Sequence, residues 1–138
     1  MELVCSLPEM AKAATTLMDY FGNQRVVAVE GEMGAGKTTL IHFICRSAGV
    51  KGTMGSPSFS IINEYLSATG IIYHIDLYRC RSQDEAIRAG VEECLYSGQL
   101  CFVEWPSRAP GMFPEDTIRL SIMQIQEAKR KIIVHCKK

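Results

Sequence analysis

Residues 31–38 read Gly-Glu-Met-Gly-Ala-Gly-Lys-Thr, two glycines around four residues and then Lys and Thr. This is a phosphate-loop pattern, and its chemistry follows from its residue types. Glycines allow the backbone to wrap its amides round a polyanion where side chains would block the approach. The helix that follows opens with unpaired N–H groups and the positive end of its dipole, so an anion there gains several donors at once. Lys37 adds a point charge over the β and γ phosphates, and Thr38 offers a hydroxyl to Mg2+. The flanks agree: Val26-Val27-Ala28-Val29 is a β-branched run suited to a buried strand, and Thr39 to Ala48 has helical spacing that stops at Gly49.

A metal at such a loop takes a second protein oxygen from an acid at the end of a neighbouring apolar strand. Two acids qualify, Asp76 after Ile71 to Ile75 and Glu104 after Leu100 to Val103. Both would stand at the carboxyl edge of the sheet, and capping a turn is the competing explanation for each. Thr53, Ser56, Ser58 and Ser60 give the segment after the phosphate-loop helix a set of hydroxyls that could sense a γ-phosphate. Ordinary loop polarity explains them equally well. Arg79, Arg81 and Arg88 could stabilise transferred charge or simply solvate a helix start. His42 and His74 read as structural, and Trp105, the single tryptophan, as a roof over the core.

The elements that must position these groups can be traced along the chain. Ser6-Leu7-Pro8-Glu9 is a capping box with Pro in the first turn, and Met10, Ala13, Ala14, Leu17 and Phe21 follow at helical spacing up to Gly22. Val50 to Ser58 reads as a loop. Phe59 to Tyr65 and Ile71 to Leu77 read as a hairpin with Leu66 to Gly70 as its connection. Ser82 to Glu85 is a second capping box, broken at Gly90, with a short helix over Val91 to Tyr96. Leu100 to Val103 reads as a strand buried on both faces, stopped by Pro106, and Pro106 to Pro114 as a loop. Thr117 to Ile125 alternates Ile118, Leu120 and Ile122 with more polar positions, and Lys131 to His135 closes the chain through a turn over Gln126 to Arg130. The expected architecture is an α/β, three-layer phosphate-loop NTPase fold with a mixed sheet, parallel at its centre and carrying antiparallel hairpins, as one domain over residues 1–138.

Composition limits the partners. Fifteen basic residues balance fifteen acidic ones, so no whole-chain field recruits nucleic acid or an anionic membrane. The six cysteines have no Cys-x-x-Cys pair or zinc-like spacing with the three histidines, and read as reduced core thiols. No apolar run reaches bilayer length and no signal-peptide pattern opens the chain, which leads us to expect a cytoplasmic protein without membrane contact.

Taken together, Gly31 to Thr39, Ser56-Pro57-Ser58-Phe59, His74-Ile75-Asp76-Leu77-Tyr78-Arg79 and Val103-Glu104-Trp105-Pro106 resemble, in order and spacing, the TsaE (YjeE) family. These are small bacterial ATPases of tRNA threonylcarbamoyladenosine biosynthesis. The resemblance implies ATP and Mg2+ as ligands, TsaD and TsaB as partner proteins, and only indirect dealings with tRNA. It implies nucleotide contacts from Gly34, Ala35, Gly36, Lys37, Thr38 and Thr39, metal ligation by Thr38 and Glu104, hydrolysis assisted by Asp76, and a switch-like loop containing Ser58. Catalysis would thus rest on Lys37, Asp76 and Glu104. It also points to Met10 and Ala128 beside the adenine. The family more often has Thr at the Ser58 position and Gly-Arg where this chain has Ala128-Lys129; the first change keeps the hydroxyl, and the second leaves the adenine-marking pair unmatched.

An accessory ATPase used as a switch is the expected function, because a complete phosphate site occupies a chain too short for a separate acceptor domain. A small-molecule kinase and a nonenzymatic nucleotide-dependent scaffold are the rival expectations.

Overall fold

The computed structural model describes residues 1–54 and 60–135. Its strands are β1 (Glu2–Ser6), β2 (Val26–Glu30), β3 (Ile62–Ser67), β4 (Gly70–Asp76), β5 (Leu100–Glu104), β6 (Ile118–Gln126) and β7 (Lys129–His135). They form one sheet in the order β1-β7-β6-β2-β5-β4-β3. The four inner strands β6, β2, β5 and β4 are mutually parallel, whereas β3, β7 and β1 add antiparallel to their neighbours. This is the mixed α/β sheet, parallel at its centre with flanking hairpins, that the sequence predicts.

Burial explains the order. Every residue of β5 and all but the last of β2 are buried, as their unbroken apolar runs require of strands covered on both faces. Helices α1 (Met10–Phe21) and α2 (Lys37–Ser47) cover one face. The short helices α3 (Gln83–Arg88) and α4 (Val91–Leu95) cover the other, together with Met112. The helix face of α1 that goes inward consists of Met10, Ala13, Ala14, Leu17 and Phe21, the positions picked out by period. Ser82 caps α3 by accepting a hydrogen bond from the Glu85 N–H at 3.2 Å.

Several boundaries differ from expectation, each for a local reason. β1 lies where no strand was predicted; its pairing partner is β7, at the far end of the chain, and that pairing supplies the order. Pro8 then falls in a 3-10 turn over Leu7–Glu9, with the Ser6 N–H donating to Glu9 Oε1 at 2.8 Å, and the α-helix starts at Met10. The β3–β4 connection tightens to Ala68-Thr69 because Ser67 pairs with Gly70, its hydroxyl donating to the Gly70 carbonyl at 2.7 Å. β7 likewise begins at Lys129, leaving Glu127-Ala128 as the turn. The stretch predicted as a loop after Pro106 contains 3-10 turns over Pro106–Arg108 and Pro110–Met112.

Cys5, Cys45, Cys80, Cys94 and Cys101 are buried free thiols, and burial pushes Cys45 and Cys101 up to about 12. No helix is long and apolar enough to cross a membrane among the described residues.

Candidate functional site

The phosphate loop leaves the end of β2 and returns as α2, so its curvature is set by two fixed elements. Gly31 passes so close to β6 that a Cβ there would lie 2.6 Å from the Ile122 carbonyl oxygen, which leaves no room for a side chain. Gly36 has φ +105°, in the left-handed region, and turns the chain into the helix. Arg130, from β7, reaches under the loop and donates through Nε to the Ala35 carbonyl at 2.9 Å. That bond fixes the Ala35–Gly36 peptide plane, and because an amide N–H points opposite to its carbonyl, the Gly36 N–H faces away from Arg130.

Lys37 opens α2 and is 5% exposed. Its Nζ donates to the carbonyls of Gly31 at 2.5 Å and Glu32 at 3.0 Å, and stands 4.2 Å from the centre of the Trp105 ring. Burial lowers its pKa, opposed by the charges of Glu104 and Asp76. Trp105 is held for this contact by a backbone with φ 58°, the one non-glycine residue at positive φ among those described. Its ring packs against Tyr78 at 5.0 Å, and the Arg108 guanidinium lies over Tyr78 at 5.5 Å.

Opposite the loop, β4 and β5 end side by side. Asp76 and Glu104 are register partners in that parallel pair, which delivers both acids to the carboxyl edge of the sheet. Glu104 is 3% exposed, and its Oε2 accepts a hydrogen bond from the Thr38 hydroxyl at 2.7 Å. The same oxygen lies 2.7 Å from His74 Nε2, and His74 Nδ1 is 3.0 Å from the Tyr65 hydroxyl. Asp76 accepts the Tyr78 N–H at 2.9 Å. Its pKa is raised, first by burial and also by the Glu104 charge, against the lowering pull of that hydrogen bond, of His74 and of Lys37.

A cavity of about 600 Å³ opens over these groups, lined by Gly34, Gly36, Lys37, Thr38, Thr39, Asp76 and Glu104, with Met33, Ser60, Ile61, Tyr78, Arg79 and Trp105 at its margins. Ala35 is buried and does not line it. The loop and both acids expected to cooperate are thus brought together. Arg79 joins them, whereas Arg81 and Arg88 are exposed and do not line the cavity. Ser56 and Ser58 lie outside the described residues. The β1–β7 pairing sets Ser6 opposite Lys129 and so brings the start of α1 beside the hairpin turn. Of the two residues expected there, Ala128 is exposed, while Met10 is 2% exposed with its sulfur 3.8 Å from the Cys5 thiol. Met10 therefore presents its side chain to the core.

Sequence reasoning missed Tyr65, the role of His74, and Arg130. The periodicity of β4 could have revealed His74, since it alternates onto the same face as Asp76. Nothing local marks Arg130, whose contact spans ninety-five positions.

The sequence and the fold have counterparts among known proteins. A tRNA threonylcarbamoyladenosine biosynthesis protein TsaE from Bacillus subtilis is 32% identical over 126 residues, which is 91% of this chain and 78% of that protein. The protein of the same name from Treponema pallidum is 28% identical over 129 residues, 94% of this chain and 95% of its own. The one from Haemophilus influenzae is 33% identical over 104 residues, 75% of this chain and 66% of its own. The crystal structure of YdiB from Bacillus subtilis superposes with a TM-score of 0.73 at 26% identity, covering 100% of this chain and 86% of that one. The family model described as Threonylcarbamoyl adenosine biosynthesis protein TsaE matches residues 4–132. With the family model matching residues 4–132 and a relative 32% identical over 91% of the chain, the chain belongs to the TsaE family.

Proposed function

We propose that this chain binds ATP with Mg2+, hydrolyses it, and uses the cycle as a switch on a TsaD–TsaB complex during formation of N6-threonylcarbamoyladenosine in tRNA. The observation that carries the hydrolytic part is the contact of the Thr38 hydroxyl with Glu104 Oε2 at 2.7 Å, beside Asp76. Thr38 and Glu104 offer two hard oxygens, a donor set suited to a cation that keeps waters and phosphate oxygens as its remaining ligands. When bound, Mg2+ neutralises charge on the β and γ phosphates.

The chain's own residues supply the rest. The loop amides and Lys37 grip the phosphates, with Lys37 exchanging its bonds to Gly31 and Glu32 for phosphate oxygens. Asp76, with its raised pKa, suits acceptance of a proton from an attacking water. Arg79, which lines the cavity, is the arginine that would face developing negative charge. Met33, Gly34 and Ala128 lie on the outer side of the loop and hairpin, where the nucleoside end would rest. The balanced charge of the chain supports contact with tRNA through the partner proteins rather than directly.

The experiment is phosphate release from ATP by the purified chain, alone and with a TsaD–TsaB complex, with Lys37→Ala and Glu104→Ala as controls. Stimulation by the complex and loss in both variants are expected. Turnover unchanged from wild type in both variants would defeat the assignment, a phosphorylated acceptor in place of free phosphate would indicate a kinase, and inactivity throughout a scaffold.

A further inference from the structure

Glu104 is a carboxylate with a negligible share of solvent, at the end of an apolar strand buried on both faces, and its orientation must be fixed from the side. The sheet register shows how. His74 sits opposite Phe102 in the β4–β5 pair, so it is the diagonal neighbour of Glu104. It also sits opposite Asn63 in the β3–β4 pair, which makes Tyr65 its diagonal neighbour on the other side. His74 is fully buried, and its ring is boxed by Tyr65 at 5.8 Å and by His42, one helical turn beyond Thr38, at 5.6 Å. The resulting chain of hydrogen bonds is Tyr65 hydroxyl to His74 at 3.0 Å, His74 to Glu104 at 2.7 Å, and Thr38 to Glu104 at 2.7 Å.

An ionised carboxylate only accepts, so the ring proton belongs on Nε2. Nδ1 then meets the Tyr65 hydroxyl at 3.0 Å, a group that can donate to a ring nitrogen or accept from one. Both ring nitrogens are thereby satisfied in one orientation only. Partners of this kind, behind a ligating group, hold its rotamer and tune its affinity for the ion.

We infer that His74, backed by Tyr65, is a positioning residue that orients the Glu104 carboxylate against Thr38 and so sets the affinity of the nucleotide site for Mg2+. This rests on the reading of Thr38 and Glu104 as the metal-binding pair, and goes beyond it by assigning the second rank of residues. It acts through Glu104 without touching the nucleotide.

The test uses the full chain and AMP-PNP, a non-hydrolysable ATP analogue, with binding measured calorimetrically in EDTA and then across a Mg2+ titration. For His74→Leu the apparent Mg2+ affinity falls by about 10- to 100-fold while AMP-PNP binding in EDTA stays within about twofold of wild type. His74→Gln, whose amide can place a donor near the position of Nε2, recovers most of the loss. Tyr65→Phe, which removes only one hydroxyl, shifts the Mg2+ midpoint in the same direction by a smaller factor. A His74→Leu protein with wild-type Mg2+ affinity overturns the inference, as does one that loses binding equally in EDTA and in Mg2+. Should His74→Leu lose its cooperative thermal transition, Tyr65→Phe decides, and an unchanged Mg2+ midpoint in it overturns the inference. If the wild type itself shows no Mg2+ dependence, the metal reading of Thr38 and Glu104 fails at its root, an outcome distinct from equal dependence in wild type and variant.

Discussion

Thr38 and Glu104 stand sixty-six positions apart in sequence, yet the hydroxyl of one donates to the carboxylate of the other at 2.7 Å. The first belongs to the phosphate loop's helix and the second to the strand beside the loop's own strand. The bond therefore joins the helix that follows the glycine-rich loop to the acidic carboxyl edge of the sheet.

Glu104→Gln is the variant that separates charge from packing. Its amide oxygen can still accept from Thr38 and His74, so the thermal midpoint should stay within a few degrees of wild type while Mg2+-dependent ATP turnover falls at least tenfold. Glu104→Leu should in addition lose about 1–3 kcal/mol of stability, because His74 and Thr38 keep buried donors without their acceptor. Thermal denaturation alongside a phosphate-release assay checks both.

Asp76→Asn should be more stable than wild type at neutral pH and inactive in turnover. The raised pKa of Asp76 means that the folded protein binds its proton more tightly than the unfolded chain does. Its contribution to stability is therefore full below the ordinary value of 3.8 and is lost as pH rises through the folded value. The advantage of Asn, which can still accept the Tyr78 N–H, should accordingly shrink as pH is lowered toward 3.8. Urea unfolding at a series of pH values measures this, and an advantage that grows on acidification would contradict it.

Trp105 should report on the loop. With Lys37 Nζ 4.2 Å from its ring, the emission of this single tryptophan should change when AMP-PNP draws the ammonium away. Lys37→Ala should abolish the change and weaken AMP-PNP binding about 10- to 100-fold, the loss of one or two charge-assisted bonds.

Arg130→Met should weaken AMP-PNP binding several-fold in EDTA and in Mg2+ alike, since the bond to the Ala35 carbonyl shapes the loop and has no part in the acids. Gly31→Ala should go further and lower stability by about 1–3 kcal/mol, because the new Cβ would meet the Ile122 carbonyl. Calorimetry and thermal denaturation distinguish the two.

The residues that declare themselves in the sequence are those whose role is local. A glycine-rich loop between a β-branched run and a helix, an acid at the end of an apolar strand, and a Ser three residues before a Glu are read from neighbours, and the structure has them as expected. What stayed hidden depends on register between distant segments. β1 is ordered by β7, Arg130 reaches a loop from the last strand, and His74 meets Glu104 only because β4 and β5 are parallel at one particular offset. Met10 shows the opposite case: its place in the helical period was right, and that same period turned its side chain into the core.

The sheet order sets a condition on when this site can exist. Loop, acids and brace come from β2, β4, β5 and β7, so the complete set meets only once those strands have joined one sheet. A ligand that needs the whole set therefore favours the native state. At a free concentration a hundred times the dissociation constant, that linkage adds about 2.7 kcal/mol to folding. If the proposed site takes ATP, the cell's ATP pool would by that linkage also hold the chain folded.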